Sequence, residues 1–391
     1  MHTARRTHGF TESVIRAMTR LAEAHGALNL AQGFPNFPAR DLVKAAAAEA
    51  VRADKNQYAI TWGARRLREA VASQYRQLYG LEFDPESEVT VTCGATEAMA
   101  AVLLALVDPG EEVVILEPHY ENYGPDAVLC GARPVFVPLA PSGALDPERL
   151  ARAFSERTRA VVVNTPWNPA GRVLRAEELR AIADLCRRHD AYAVTDEIYE
   201  HIVFEGRHTP LATLPGMRER TVTVSGASKT FAVTGWRIGT VVAPRELTLA
   251  IRKVHDFLTV GAPAPLQDAV AVALEGLGEA YYREMALAYR RRRDLLCASL
   301  ARAGFEFSPP EGAYYVLASY RGLSLLPEEE FARELVTEAR VAAVPGSSFF
   351  SERDPERRLV RFAFCKTEDV LAEAGRRLEA FANSRGRAGA R

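Results

Sequence analysis

The amino-acid sequence predicts an α/β protein with a large domain built on a mainly parallel sheet between helices, followed by a smaller α+β domain. Short β-branched segments alternate with helix-length segments over residues 88–226, which is typical of a parallel sheet covered on both faces. After residue 304 the pattern changes to that of an antiparallel sheet with helices. The length of 391 residues also exceeds what one ordinary core holds.

The β-branched segments predict six strands in the larger part. They lie at 88–93, 111–118, 133–139, 158–166, 191–199 and 220–226. Helices are predicted between most of them, for example at 96–107, 126–132 and 175–190, and again over 263–304. A helix between two strands makes the strands parallel, because the chain must cross back before the next strand begins.

The tail has a different organisation. It contains a strand-like segment within 305–319, a helix near 327–340, a second strand-like segment at 358–366 and a final helix from 367. We predict an N-terminal segment (1–43) that packs with the small domain, a large domain (44–290) and a small C-terminal domain (291–391).

Composition argues against several classes of function. The formal net charge is −1, so no nucleic acid or membrane partner is expected. No run of about 18 apolar residues and no signal-peptide core occur. The five cysteines are scattered and form no C-x-x-C pair, which favours a reducing, cytoplasmic location. We predict no metal site.

Polar, glycine and aromatic residues follow five of the predicted strands. Ligands of open α/β sheets bind beyond the carboxyl ends of the strands, so these residues are expected to form one site. They include Gly94, Ala95, Thr96, His119, Tyr120, Asn168, Asp196, Tyr199, Ser228 and Lys229.

Lys229 has the sequence context of a lysine that carries a ligand. In "SGASKTFAVTGWRIG" (225–239) its neighbours are small, and Arg237 follows eight residues later. Such a lysine can form a Schiff base with pyridoxal phosphate. Asp196, at the end of an apolar run, could pair with the pyridine nitrogen, and Tyr199 could donate to the ring 3-oxygen. The alternatives for these two residues are a helix N-cap and a core tyrosine.

A phosphate group needs backbone N–H groups, hydroxyls and a cation. "CGATEAMAAVLLALV" places small residues at the start of a helix, which is a favourable position for an anion. Ser228 and Arg237 add a hydroxyl and a charged guanidinium, while Tyr120 could stack on the ring.

With "TPWNPAG", "VTDEIY" and the lysine segment, the chain resembles the fold-type I, class I/II pyridoxal-phosphate-dependent aminotransferases. The resemblance extends from "NLAQGFPNF" to "RFAFCK". The opening segment "FTESVIRAMTRLAEAHGALNLAQGFPNF" is most similar to the kynurenine/glutamine/methionine aminotransferase branch. The resemblance implies that residues 44–290 bind the cofactor.

The resemblance implies a role for each matched residue. Lys229 would be the Schiff-base lysine and proton shuttle, Asp196 the partner of the ring nitrogen, and Asn168 with Tyr199 the partners of the 3-oxygen. Gly94, Ala95, Thr96, Ser228 and Arg237 would hold the phosphate. Arg361 and Gly33, with Asn168, would bind the substrate, and Tyr58 would reach the site of the other subunit in a homodimer.

The residues also bear on the substrate. Thr96 stands where one dicarboxylate-specific branch has lysine, and no Arg or Lys occurs between Lys253 and Arg283, where another places one. We therefore expect a neutral, sulfur-containing or aromatic amino donor and a 2-oxo acid acceptor. The alternatives are a lyase, a cyclase or another specialised-metabolism enzyme on the same scaffold, an aspartate-type aminotransferase, and a ligand-binding domain of a transcription regulator.

Overall fold

The computed structural model describes residues 2–140 and 143–388. The strands are β1 Leu28–Asn29, β2 Val89–Thr92, β3 Glu112–Glu117, β4 Arg133–Pro138, β5 Thr158–Asn164, β6 Tyr192–Asp196, β7 Thr221–Gly226, β8 Gly239–Val242, β9 Tyr315–Ser319, β10 Val341–Ala342, β11 Val344–Pro345 and β12 Leu359–Ala363. The helices are α1 Val14–Ala24, α2 Asp41–Arg52, α3 Arg65–Tyr79, α4 Ala95–Leu106, α5 Tyr123–Leu129, α6 Pro147–Ala153, α7 Ala176–His189, α8 Ala227–Thr230, α9 Arg245–Thr259, α10 Ala264–Gly276, α11 Glu279–Arg302, α12 Glu328–Glu334 and α13 Glu368–Ala388. No described helix combines the length and apolar character that crossing a membrane requires.

A seven-stranded sheet forms the centre of the larger part, in the order β2-β8-β7-β6-β5-β3-β4. Strands β3 to β7 pair in parallel, and β8 runs antiparallel to both of its neighbours. The predicted α/β fold with a mostly parallel sheet is confirmed, and all six predicted strands are present. The sequence analysis missed β8, a four-residue strand that follows directly on the lysine segment.

Helices cover both faces of this sheet, which explains the β-branched composition of its strands. On β3, Val113 and Ile115 pack on the side of α4 and α5, while Val114 and Leu116 pack on the side of α6 and α7. Because successive side chains of a strand point to opposite faces, a strand buried on both sides must be apolar at nearly every position.

A second, antiparallel sheet has the order β11-β12-β9, and α11 and α13 pack against each other beside it. The N-terminal segment joins this part of the molecule, because β1 pairs in parallel with β10 through Leu28 and Val341. The predicted domain boundary at residue 290 falls inside α11. Residue 1 and residues 389–391, at the ends of the predicted domains, lie outside the described residues, and the domain ranges stay a prediction.

Phe331, on α12, tests how much the packing of the small sheet contributes to stability. Its ring is fully buried and stacks on Tyr320, with ring centroids 3.8 Å apart. We expect Phe331→Ala to lower the free energy of unfolding by about 3–5 kcal/mol, because the change leaves a cavity. Urea unfolding measures this loss. Leu325→Ala is the matched control, since Leu325 is 86% exposed, and it should cost less than about 0.5 kcal/mol. Equal losses for the two variants would contradict the prediction.

Candidate active site

A cavity of about 490 Å³ opens at the carboxyl ends of the central strands. Eleven of the thirteen residues predicted for the site line it: Gly33, Ala95, Thr96, Tyr120, Asn168, Asp196, Tyr199, Ser228, Lys229, Arg237 and Arg361. Gly94 lies next to it, against the guanidinium of Arg237. Tyr58 does not line the cavity and is 89% exposed.

Lys229 lies on α8, directly after β7, and points towards the N-terminal segment. Its Nζ donates a hydrogen bond to the carbonyl oxygen of Gly33 at 3.1 Å. Burial, together with the nearby charges of Arg237 and Arg361, lowers the pKa of Lys229 to about 8, while Cys365 and Asp196 oppose this shift. A larger fraction of this amine is therefore neutral near pH 7 than for a lysine in water.

Asp196 ends β6 with its carboxylate buried in the cavity wall. The phenol of Tyr123 donates to its Oδ2 at 2.6 Å, and the backbone N–H of Ile198 donates to its Oδ1 at 3.2 Å. Burial raises the pKa of Asp196, while these hydrogen bonds and the charge of Lys229 oppose the rise. The carboxylate thus has hydrogen bonds but no cation in direct contact among the described residues.

Asn164, at the end of β5, organises the turn next to Asp196. Its side-chain amide donates to the Asp196 carbonyl oxygen at 2.8 Å, and its Oδ1 accepts from the backbone N–H of Asn168 at 2.7 Å. The second bond fixes the backbone at Asn168. Because β5 and β6 are neighbouring strands, Asn164 thus sets the position of Asn168 relative to Asp196.

The start of α4 lies against Arg237. A Cβ on Gly94, whose φ is +83°, would approach Nη2 of Arg237 to 2.2 Å. A Cβ on Gly239 would approach the Gly94 carbonyl carbon to 2.4 Å. Only glycine at these two positions lets the guanidinium and the first turn of α4 come this close. Thr96 and Ser228, which both carry hydroxyl groups, line the same cavity.

Arg361, on β12, is a fully buried cation. Its Nη1 donates to Oδ1 of Asn168 at 2.9 Å and its Nη2 to the Ala31 carbonyl oxygen at 2.6 Å. Its Nε is buried without a hydrogen-bond partner, and the described residues contribute no carboxylate to it. The guanidinium also lies 4.2 Å from the ring centroid of Tyr315. A buried cation held only by neutral groups is suited to bind an anion.

The two remaining predicted aromatic residues of the cavity are held by other tyrosines. Tyr120 packs edge-on against Tyr123, with ring centroids 5.8 Å apart. The hydroxyl of Tyr199 is hydrogen-bonded to that of Tyr315 at 3.0 Å.

Several residues of the site were not predicted, and among them Tyr123, Asn164 and Tyr315 hydrogen-bond to predicted site residues. Asn164 stands at a strand end, and Tyr123 follows another strand three residues after Tyr120, so the strand-end pattern could have included both. Tyr315 had no local signal, because it reaches the cavity from β9, 116 residues after Tyr199.

Pyridoxal phosphate fits the residues of this cavity. Lys229 offers a partly neutralised amine for the aldehyde and Asp196 a buried carboxylate for the ring nitrogen. Because Gly94 and Gly239 have no side chains, Arg237 can lie beside the first turn of α4, and this arrangement suits a phosphate.

Comparisons with known proteins agree with this chemistry. Residues 26–378 match the family described as aminotransferase class I and II. A probable N-succinyldiaminopimelate aminotransferase of Mycobacterium tuberculosis is 42% identical over 392 residues, covering 97% of this chain and 98% of that protein. A solved structure of N-succinyldiaminopimelate aminotransferase from that organism has a TM-score of 0.95 at 43% identity, covering 97% of this chain and 100% of the other.

Two further relatives carry other substrate names. The methionine aminotransferase of Escherichia coli is 38% identical over 368 residues, covering 94% of this chain and 95% of that protein. Human kynurenine–oxoglutarate transaminase 1 is 36% identical over 402 residues, with coverage of 94% and 95%.

The lowered pKa of Lys229 predicts a pH-dependent effect of its replacement in the cofactor-free protein. The pKa of Lys229 is about 8 in the folded protein and 10.5 in the unfolded chain. Between these pH values the unfolded chain binds more protons, so the free energy of unfolding rises with pH. Below about pH 8 the amine is protonated in both states, and the wild type bears the full free-energy cost of burying its charge. We expect Lys229→Met to be more stable than the wild type by roughly 1–3 kcal/mol at pH 7.

This difference should shrink by pH 9.5, because the buried amine is then largely neutral in the wild type. Urea unfolding of both proteins at the two pH values measures it. A difference of the same size at both values would mean that packing rather than charge burial separates the two proteins.

Proposed function

The chain belongs to the class I and II aminotransferases and is a pyridoxal-phosphate-dependent aminotransferase, and we propose the residues that bind its cofactor and substrates and the class of its amino donor. The observation that carries the proposal is the convergence on one cavity of Lys229, Asp196 and Arg361, from β7, β6 and β12. These side chains offer a half-buried amine, a buried carboxylate and a fully buried guanidinium, and none forms a close ion pair with another described residue.

Lys229 is the residue that we propose to hold the cofactor and to move the proton. When bound, pyridoxal phosphate supplies an aldehyde that accepts the amino group and a ring that withdraws electrons from the substrate Cα. Lys229 would hold the cofactor covalently through its Nζ. When it is not so bound, the Nζ would take the proton from the substrate Cα and later return it one carbon away. The lowered pKa of Lys229, about 8, supports this role, because only the neutral amine can act as a base.

Asp196 is proposed to keep a proton at the ring nitrogen. The hydrogen bond from Tyr123 fixes the orientation of its carboxylate and stabilises the ionised form. Asn168 and Tyr199 would bind the 3-oxygen, and Tyr120 would stack on the ring. The phosphate would be bound by the first turn of α4, with Gly94, Ala95 and Thr96, and by Ser228 and Arg237.

Arg361 is proposed to bind the substrate α-carboxylate, with Gly33 and Asn168 beside it. Asn168 already orients the guanidinium at 2.9 Å, and the unpaired Nε leaves capacity for the carboxylate. A Cβ on Gly33 would lie 1.9 Å from the hydroxyl of Tyr315, so glycine keeps this approach open.

We propose a neutral, sulfur-containing or aromatic amino donor and a 2-oxo acid acceptor. Ile15, Phe34 and Met99 give the cavity an apolar component, and two relatives are named for methionine and kynurenine. Because the relatives are aminotransferases, a lyase or cyclase on the same scaffold is not favoured.

An absorbance titration of the holoenzyme tests this function. We expect the bound cofactor to absorb between roughly 360 and 430 nm, to bleach towards about 330 nm with the correct amino donor, and to recover when a 2-oxo acid is added. Lys229→Ala should retain the cofactor and lose turnover by several orders of magnitude, because the base and the covalent anchor are removed together.

Leu325→Ala is the control for this experiment, because Leu325 is 86% exposed and does not line the cavity. Product formed without any acceptor would contradict transamination. Unchanged turnover in Lys229→Ala would contradict the role of the lysine.

We further propose a homodimer in which Tyr58 reaches the phosphate site of the other subunit. Aminotransferases of this fold are typically dimers, and two segments expose large apolar side chains, namely Tyr58 and Ile60 in one and Phe257, Leu258 and Val260 in the other. Tyr58 and Phe257 are 89% and 92% exposed. His255 connects the two segments, since its Nε2 is hydrogen-bonded to the Thr61 carbonyl oxygen at 2.9 Å. Exposed apolar side chains of this kind mark an interaction surface.

Mixing two defective variants tests whether the sites are shared. Lys229→Ala and Tyr58→Ala would each be defective in both sites of their own homodimers. A mixed dimer would contain one site with both intact residues, so co-expression should restore about a quarter of the wild-type activity. No gain above the average of the two homodimers would contradict a shared site. A monomer in sedimentation experiments would contradict the dimer itself.

A further inference from the structure

Arg16 is a cavity-lining cation that the proposed chemistry leaves without a role. It lies on the first turn of α1 and lines the same cavity as Arg361 and Lys229. Its guanidinium makes no hydrogen bond and no ion pair with any residue in 2–140 or 143–388. Arg361, in contrast, donates to Asn168 and to the Ala31 carbonyl oxygen. Arg16 is therefore free to bind a ligand.

Two acidic residues of the Arg16 region have other partners, and a third, on the cavity wall, is partly protonated. Glu12, one turn earlier, is held by Arg20 through two hydrogen bonds of 2.7 and 2.9 Å. Glu121, on the cavity wall, accepts a short hydrogen bond from the Ser13 hydroxyl. Asp126, also on the wall, is buried, and burial raises its pKa to about 7, so a good part of it is uncharged at neutral pH. These contacts leave Arg16 as a cation at the exposed side of the cavity, with Arg361 buried on β12.

We propose that Arg16 binds the distal carboxylate of a dicarboxylic 2-oxo acid, so that one site accepts a neutral amino donor and a dicarboxylic acceptor in turn. This inference rests on the proposed function, in which Arg361 binds the carboxylate next to the reacting carbon. Arg16 is then the residue that distinguishes an acceptor with a second carboxylate from one without it.

The exposure of Arg16 explains how a single site can accept both kinds of substrate. A buried cation at the distal position would be left without a partner by a neutral side chain, at a large desolvation cost. Arg16 is exposed, so it stays hydrated when the substrate side chain is neutral. Its long side chain can then turn to a carboxylate when one is present. The apolar side chain of Ile15, which also lines the cavity, offers contact for neutral substrates.

The sequence analysis missed this residue because it searched other places for a second cation. It considered position 96 and the segment from Lys253 to Arg283. Arg16 comes from the N-terminal helix, and only the folded chain brings that helix to the cavity.

The experiment compares acceptors in the holoenzyme with one amino donor. The acceptors are 2-oxoglutarate, which has a distal carboxylate, and 2-oxohexanoate, which has a similar length and none. The variants are Arg16→Gln, Arg16→Lys and, as a control at an exposed arginine of α2 that does not line the cavity, Arg52→Gln. Calorimetry with glutarate, a dicarboxylate that cannot react, gives a binding readout that is independent of turnover.

We expect Arg16→Gln to raise KM for 2-oxoglutarate and Kd for glutarate by roughly 3- to 5-fold, with kcat nearly unchanged. The KM for 2-oxohexanoate should change less than about twofold. Arg16→Lys should restore part of the loss, and Arg52→Gln should resemble the wild type. Added salt should weaken glutarate binding in the wild type more than in Arg16→Gln.

Equal effects of Arg16→Gln on both acceptors, or no effect on glutarate binding, would overturn the inference and leave the proposed function intact. A wild-type holoenzyme that transfers an amino group to neither acceptor from any donor would overturn both.

Discussion

Buried charge without a direct counter-charge is the constraint around which the cavity is built. Lys229 donates to a carbonyl oxygen, Asp196 accepts from a phenol, and Arg361 donates to an amide oxygen. None of the three forms a close ion pair with another described residue. Burying charges in this way is costly, and the cost is tolerated where a ligand supplies the missing partner. The neutral contacts fix the orientation of each group in advance, so little reorganisation is needed when the ligand binds.

The loop that follows β1 is held in place by hydrogen bonds from side chains in and near the cavity. Its carbonyl oxygens accept hydrogen bonds from Lys229, Tyr314 and Arg361, while Lys366 donates to the carbonyl oxygens of Gln32 and Phe34. Lys229, on the helix after β7, and Arg361, on β12, thus hold one short backbone segment across the cavity. The N-terminal segment is in this way part of the site, and it carries Ile15 and Arg16 to the substrate side.

Local patterns predicted the large sheet and most of the site. β-Branched runs bounded by turns indicated the parallel strands, and the small residues around Lys229 indicated a ligand-bearing lysine. The strand β8 was missed because it has only four residues, begins at the last residue of the lysine segment and runs antiparallel to β7, which interrupts the parallel alternation. The helix predicted near 327–340 is present as α12, which continues into a wider, π-helical turn over Leu335–Ala339.

The sequence by itself determined the fold class and the candidate residues for the chemistry. Their types and spacings, from the lysine segment to the carboxylate at the end of β6, follow from the needs of the reaction and leave a pattern in the chain. Only the tertiary structure decided which distant residues complete the site. No distinctive local pattern marks Tyr123, which bonds to Asp196, Tyr315, which lies beside Arg361, or Arg16, which lines the cavity. Their positions result from packing between segments that are far apart in sequence. Contacts of that kind are set by the three-dimensional fit of whole elements, which neighbouring residues do not encode.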